Sequence, residues 1–349
     1  MRQALVAVLA GAGLVLAGVP ATATERRVSS DVPAPTAEEQ QARDLLVSAA
    51  RAGQVLTYTG TQYLATWRGD RSASALLEVV HDAGGGPALL PSSSGSATLT
   101  ATPMTATADL EPRLVDLLAS TYDLALVAPG RCAGRSAAVV EARRAGGGVA
   151  GRFWVDSETG LLLRREVYDA SGERLRSSAF LQLDVDAGVA PGGAAGAVGE
   201  PAATSQPAAA ERLRDEGWTV PARLPAGFRL LEARTSAPSP GEAVLHLAYS
   251  DGLSTLSLFA QDGRLGSRPP SGFTAEQVGA RPVWRRADGP ERAVWSGGGH
   301  VWTLVSDADP AAVTAAVGAL PRDPATDDGV RSRLGRGLGR MAGMLSPFD

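Results

Sequence analysis

The chain has 349 residues, 44% hydrophobic, 20% charged and 5% aromatic, with a formal net charge of −4. This globular composition excludes a disordered chain, a collagen-like fibre and a strongly basic nucleic-acid binder, and a single cysteine excludes a disulfide scaffold or a cysteine-rich zinc module. Single cores stop growing near ~250–300 residues, so two domains are expected. Lysine, asparagine and isoleucine are absent, and all 33 basic residues are arginine. Those three types share AT-rich codons, so their absence marks a GC-rich genome rather than a demand for arginine chemistry.

Met1-Arg2-Gln3 is a short basic start, and residues 4–19 carry no charge. Pro20-Ala21-Thr22-Ala23 then offers small residues at the positions a signal peptidase reads. Residues 1–23 therefore read as a secretory signal cleaved after Ala23, with an uncleaved signal anchor as the alternative. The apolar run is short for a membrane span, which takes roughly 20 residues. Val19 stands where a lipid-bearing cysteine would be needed. The protein is expected to be exported, to the periplasm or the outer face of the cell membrane.

Residues 24–35 read as a flexible lead-in. Thr36 and Glu39 have capping-box spacing, which predicts a helix over 37–52. Strands are expected at 55–67 and 72–81, joined by a turn at Arg68-Gly69-Asp70-Arg71, and a loop at 82–96. A second helix is expected over 111–120. Five strands follow, at 122–128, 136–144, 149–156, 161–168 and 175–185, separated by glycine-bearing turns. No room exists for crossover helices, so these form an antiparallel meander. The first domain thus spans 36–187. Residues 188–210 are rich in Ala, Gly and Pro and read as an inter-domain linker. A second domain is expected over 211–322, with strands at 229–235, 243–249, 254–260, 282–287, 292–296 and 301–306. Asp309-Pro310 then reads as a helix N-cap with proline at the first helical position, opening a helix to about 320. Residues 323–349 form an arginine-bearing tail, with Arg331, Arg333, Arg336 and Arg340 among Leu334, Leu338, Met341 and Leu345. It reads as a solvated end or as an attachment to anionic lipid or an acidic partner. The fold class is α+β, mainly antiparallel β.

The chemistry-bearing residues point away from catalysis. His81, His246 and His300 stand in three segments without metal-ligand spacing, so no metal is expected. No nucleophile elbow and no phosphate-binding loop occurs, and no cofactor is expected. Asp156, Glu158, Asp169 and Asp251 all fall at strand ends, where acidic side chains cap turns or face water. Cys132 reads as a small buried thiol, with an intermolecular disulfide as the alternative. Tyr58, Tyr63, Trp67, Phe153, Trp154 and Tyr168 cluster on strands of the first domain. They are either sheet core or the lining of an apolar cleft for an acyl chain or a partner side chain.

Two stretches carry a recognisable pattern. One runs from Arg152-Phe153-Trp154-Val155-Asp156 through Ser157-Glu158-Thr159-Gly160 to Arg164-Arg165-Glu166, followed by Asp169-Ala170-Ser171-Gly172-Glu173. The other is Leu224-Pro225-Ala226-Gly227-Phe228, then Tyr249-Ser250-Asp251-Gly252-Leu253-Ser254 with Phe259 beyond. With Tyr58-Thr59-Gly60-Thr61, they resemble the MucB/RseB family of sigma-E regulatory proteins. The resemblance implies a LolA-like half-barrel followed by a smaller α+β domain. It also implies a non-enzymatic function: binding the extracytoplasmic domain of a membrane anti-sigma factor and shielding it from proteolysis, with release on sensing a lipid or lipoprotein acyl chain. Tyr249, Asp251 and Gly252 mark the family turn and are the candidate partner-binding residues, with a purely structural role as the alternative, since Asp-Gly suits a tight hairpin. A LolA-like lipid or lipoprotein carrier, using the same cleft for cargo, is the alternative.

Overall fold

The computed structural model describes residues 35–83, 88–91, 110–186, 206–239, 242–266, 268–279, 281–286 and 290–322. The expected signal segment, nearly all of the lead-in, the arginine-bearing tail and most of the expected linker lie outside these residues. The chain separates into units Met1–Pro35 and Thr36–Asp349, and the fold below belongs to the second.

The first lobe is an eight-stranded antiparallel sheet, β3-β2-β1-β8-β7-β6-β5-β4. Its strands are β1 (Tyr58–Arg68), β2 (Arg71–His81), β3 (Ala88–Pro91), β4 (Asp123–Cys132), β5 (Arg135–Arg143), β6 (Val149–Asp156), β7 (Leu162–Tyr168) and β8 (Arg174–Val185). The meander is as the sequence predicts. Strand β3 is a correction, since it lies inside the segment expected to be a loop. The sheet curls on itself: Cys132 at the end of β4 places its Sγ 3.6 Å from the Leu163 carbonyl and 3.5 Å from that of Phe180. Those partners lie on β7 and β8, three and four places away in the strand order.

Helices α1 (Ala37–Val55) and α2 (Pro112–Thr121) fill the hollow side. The capping box forms: Thr36 Oγ1 accepts from the Glu39 N–H at 3.2 Å, and Glu39 accepts from the Thr36 N–H at 2.6 Å. Such caps stabilise a helix start by ~1 kcal/mol. Helix α1 buries Ala42, Leu46 and Ala49, and α2 buries Val115 and Leu118. They meet Phe153, Val155 and Val167 from the strands in one core.

The second lobe is a seven-stranded antiparallel sheet, β12-β13-β14-β15-β11-β10-β9. It comprises β9 (Arg229–Ser239), β10 (Glu242–Ser250), β11 (Thr255–Asp262), β12 (Thr274–Val278), β13 (Arg281–Arg286), β14 (Glu291–Gly297) and β15 (His300–Ser306), with helices α3 (Gln206–Asp215) and α4 (Pro310–Gly318). Two elements differ from the sequence reading. Strand β12 is extra. Helix α3 starts inside the expected linker, because Ala209, Ala210 and Leu213 share one helical face and are buried. Ala210 and Leu213 join the core of this lobe, so the second lobe reaches back at least to Gln206.

That core is centred on Trp295 and Trp302, directly paired across β14 and β15 with ring centroids 6.1 Å apart. Each buried indole N–H finds a carbonyl: Trp302 donates to Gly297 at 3.0 Å and Trp295 to Pro321 at 2.9 Å. The chain crosses so close that a Cβ on Gly297 would lie 1.8 Å from the Pro321 oxygen, so glycine is required there.

On β10, His246 stacks on Phe259 at 4.6 Å and accepts a hydrogen bond from Arg234 Nε at 3.1 Å. Burial first, and then the Arg234 charge, push its pKa from 6.5 to about 4. Between those values the unfolded chain binds a proton that the folded chain refuses, so stability falls as pH drops through the window. Urea denaturation from pH 7 to 4.5 should show this loss in the parent chain and less of it in His246→Gln. Identical pH profiles would remove the assignment.

Candidate functional site

The two lobes meet through the turn between β10 and β11. Ser250 Oγ accepts from the Gly252 N–H at 3.0 Å and donates to the Ser254 carbonyl at 2.8 Å. Asp251 Oδ1 accepts from the Leu253 and Ser254 N–H groups at 2.8 and 2.6 Å. This Asx-type turn projects Leu253 out of its own lobe and into the core of the first, beside Phe153 and Val167. Two glycines admit it. A Cβ on Gly151 would lie 2.7 Å from Leu253 Cδ2. Gly252 has φ +92°, and a Cβ there would sit 2.6 Å from the Leu118 backbone.

Polar groups seal the seam around this apolar plug. Tyr122 donates its hydroxyl to Asp251 Oδ2 at 2.7 Å. From the hollow side of the first sheet, Arg165 donates to the Leu253 carbonyl at 2.8 Å, and Arg176 donates to the same carbonyl at 2.7 Å. Arg176 also forms an ion pair with Asp307. Arg68 donates to the Ala308 carbonyl at 2.8 Å. Desolvation holds the Arg165 guanidinium below the ordinary arginine range, opposed by Asp251. Arg176 is lowered by burial and then by the like charges of Arg165 and Arg68. Burial raises Asp251, while Ser254, Tyr122, Leu253 and Arg176 act in the other direction. Nε of both Arg165 and Arg176 is buried without a hydrogen-bond partner. The seam is thus a set of mutually dependent buried charges.

The three predicted partner-binding residues all make contacts within the chain, and Asp251 also lines the cleft between the lobes. Tyr249 is fully buried in the second core and donates to the Pro221 carbonyl at 2.8 Å. Asp251 and Gly252 face Tyr122 and Leu118 of the same chain.

The six aromatics do not line one cleft, because strand alternation divides them. Tyr58 and Phe153 point into the hollow. Tyr58 stacks on His81 at 4.8 Å and meets Phe180 edge-on, and Phe153 lies under Arg165. Tyr63, Trp67, Trp154 and Tyr168 sit half-buried on the outer face. There Arg174 covers Trp67 and Arg164 covers Trp154, each at 4.7 Å, and Arg152 covers Tyr168 at 5.7 Å. Glu166 bridges Arg164 and Arg174, and Glu141 bridges Arg143 and Arg152. Burial opposes the Glu166 charge, yet hydrogen bonds from Tyr168, Arg164 and Arg174 hold its carboxyl below the usual range.

Above the seam opens a cleft of about 620 Å³. Thr121, Tyr122, Tyr168, Ala170 and Leu175 form one wall, and Leu224, Phe228, Ala311, Ala312 and Ala315 the other. Asp251, Leu253 and Ser254 form its floor, and Arg144, Arg223 and Arg229 also line it. Three segments singled out in the sequence thus converge: Ala170, the stretch 224–228 and the turn 251–254. The alanines of α4 and the two arginines beside Phe228 are site residues the sequence reading missed. Arg223 and Arg229 flank the 224–228 motif in sequence, and that adjacency was their only signal; the α4 alanines carried none.

No carboxylate pair suited to catalysis is formed by the four acidic strand-end residues. Asp156 accepts from Arg135 and Thr159, and Asp169 from Ser171 and the Glu173 N–H. Both cap turns. Glu158 is exposed and paired with Arg135. Among the described residues no group of three or more His, Cys, Asp or Glu could hold a metal ion, and no helix is long and apolar enough to cross a membrane.

Residues 78–208 match the MucB/RseB N-terminal domain. The 152–173 motif falls inside that span, and the 224–259 motif lies beyond it. No curated protein matches the chain. Similar solved structures include MucB in complex with MucA(peri), at 21% identity over 82% of this chain and 99% of that one, with a TM-score of 0.45. The Pseudomonas aeruginosa MucA/MucB complex is similar at 22% identity over 82% and 99%, with a TM-score of 0.46. The LolA superfamily protein NE2245 from Nitrosomonas europaea is similar at 10% identity over 77% and 91%, with a TM-score of 0.18.

Truncating the plug tests the seam. Leu253→Ala should cost about 2–5 kcal/mol, the range for a buried leucine. Gly252→Ala should also destabilise, through its positive φ and the Leu118 backbone. Unfolding midpoints in urea read both, and a Leu253→Ala midpoint equal to the parent's would place the turn outside the first core.

Proposed function

We propose that this chain is a non-enzymatic regulator, exported to the outer face of the membrane, that binds the extracytoplasmic part of a membrane anti-sigma factor and shields it from proteolysis. The reading is supported by the match over 78–208 together with what the family resemblance implies. The observation that carries it is the convergence of three segments singled out in the sequence on one inter-lobe cleft. A surface built from both lobes suits a polypeptide ligand, because each lobe supplies only half of it. The carrier reading is weaker. Cargo space is needed on the hollow side of the first sheet, and beside Phe153 that space is filled by Leu253.

Lipid sensing enters through linkage. A lipid that favours separated lobes would weaken partner binding by its differential affinity for the two arrangements. A hundredfold weakening corresponds to about 2.7 kcal/mol.

Calorimetry of the purified chain with the extracytoplasmic segment of the anti-sigma factor tests binding, and limited trypsin digestion of that segment tests shielding. Saturable binding with slowed digestion is expected. Digestion at the same rate with and without saturating chain would exclude the shielding role.

A further inference from the structure

The inter-lobe cleft has a chemistry that names what it takes. Arg223 is exposed, Arg229 is half-buried, and their backbones are bridged. Among the described residues neither guanidinium has an ion-pair or hydrogen-bond partner. The other charged groups of the lining are already engaged. Arg144 donates to the carbonyls of Val149 and Tyr168 at 2.8 and 2.6 Å. Asp309 accepts from the N–H groups of Ala311 and Ala170 at 2.7 and 3.3 Å. Asp251 is buried under Tyr122. Two free cations therefore stand beside a wall of methyl groups from Ala311, Ala312 and Ala315. The volume lies in the range that holds a small ligand or a few side chains, about 300–1,000 Å³.

We propose that the cleft binds a short acidic segment of the partner polypeptide, its carboxylates on Arg223 and Arg229 and a neighbouring apolar side chain on the α4 alanines. This inference rests on the reading of the chain as an anti-sigma-factor binder and names the chemistry of the contact. It also carries a mechanism of regulation. The floor of the cleft is the turn 251–254 that plugs the first lobe, so the site is complete only while the plug is seated. Apparent affinity then scales with the fraction of molecules whose seam is closed. In the other direction, the bound segment holds the turn in place.

The test uses the full chain and the extracytoplasmic segment of the anti-sigma factor. Reversing both cations, Arg223→Glu with Arg229→Glu, should weaken binding about tenfold or more, as expected for unpaired charges facing an acidic partner. Both side chains reach solvent, and an unchanged unfolding midpoint confirms the fold. Amide exchange at Gly252, Leu253 and Ser254 should slow when the segment binds. Affinity within twofold of the parent for the double variant, with a complex still formed, overturns the cleft assignment and leaves the functional reading standing. Failure of the parent chain to bind the segment at all removes both. A third arm offers phosphatidylglycerol vesicles without the segment. Binding that depends equally on Arg223 and Arg229 would reassign the cleft to a lipid headgroup and overturn the peptide proposal.

Discussion

The arrangement depends on the burial of Arg165 and Arg176. A guanidinium cannot lose its charge in a protein, so it must find acceptors wherever the fold puts it. Here the hollow of the first sheet offers few, and the acceptors come from the other lobe: the Leu253 carbonyl and the Asp307 carboxylate. Separating the lobes without admitting water would strand two cations in an apolar hollow, which costs several kcal/mol per ion. Opening must therefore let solvent in.

Much of the fold is legible in the sequence. The capping box at Thr36 and Glu39, the meander from 122 to 185, and the Asp309-Pro310 helix start are all local patterns, and local patterns survive into structure. The failures have a physical cause as well. Helix α3 is alanine-rich, and in a GC-rich composition alanine runs look like filler. Only the periodicity of Ala209, Ala210 and Leu213 betrays a buried face. Strands β3 and β12 are sheet-edge pieces with weak alternation.

The site was legible in part. The sequence singled out Tyr249, Asp251 and Gly252, and the structure gives each of them contacts within the chain. Asp-Gly looks like a surface hairpin, and only three-dimensional placement reveals that Leu253 needs a hole and that Leu118 leaves no room for a side chain at 252. The aromatic cluster misled for a simpler reason. Residues adjacent along a strand face opposite ways, so Phe153 and Trp154 never share a surface. On the outer face the rings are roofed by guanidinium groups, which keep broad apolar area out of water with no lysine in the chain.

The plug also orders events in time. The hollow of the first lobe is closed by residues that leave the ribosome well after its last strand β8. Until the segment around Leu253 arrives, the nascent first lobe carries an open apolar socket and two cations without acceptors. Synthesis of this chain thus includes an interval in which a finished-looking sheet is still vulnerable.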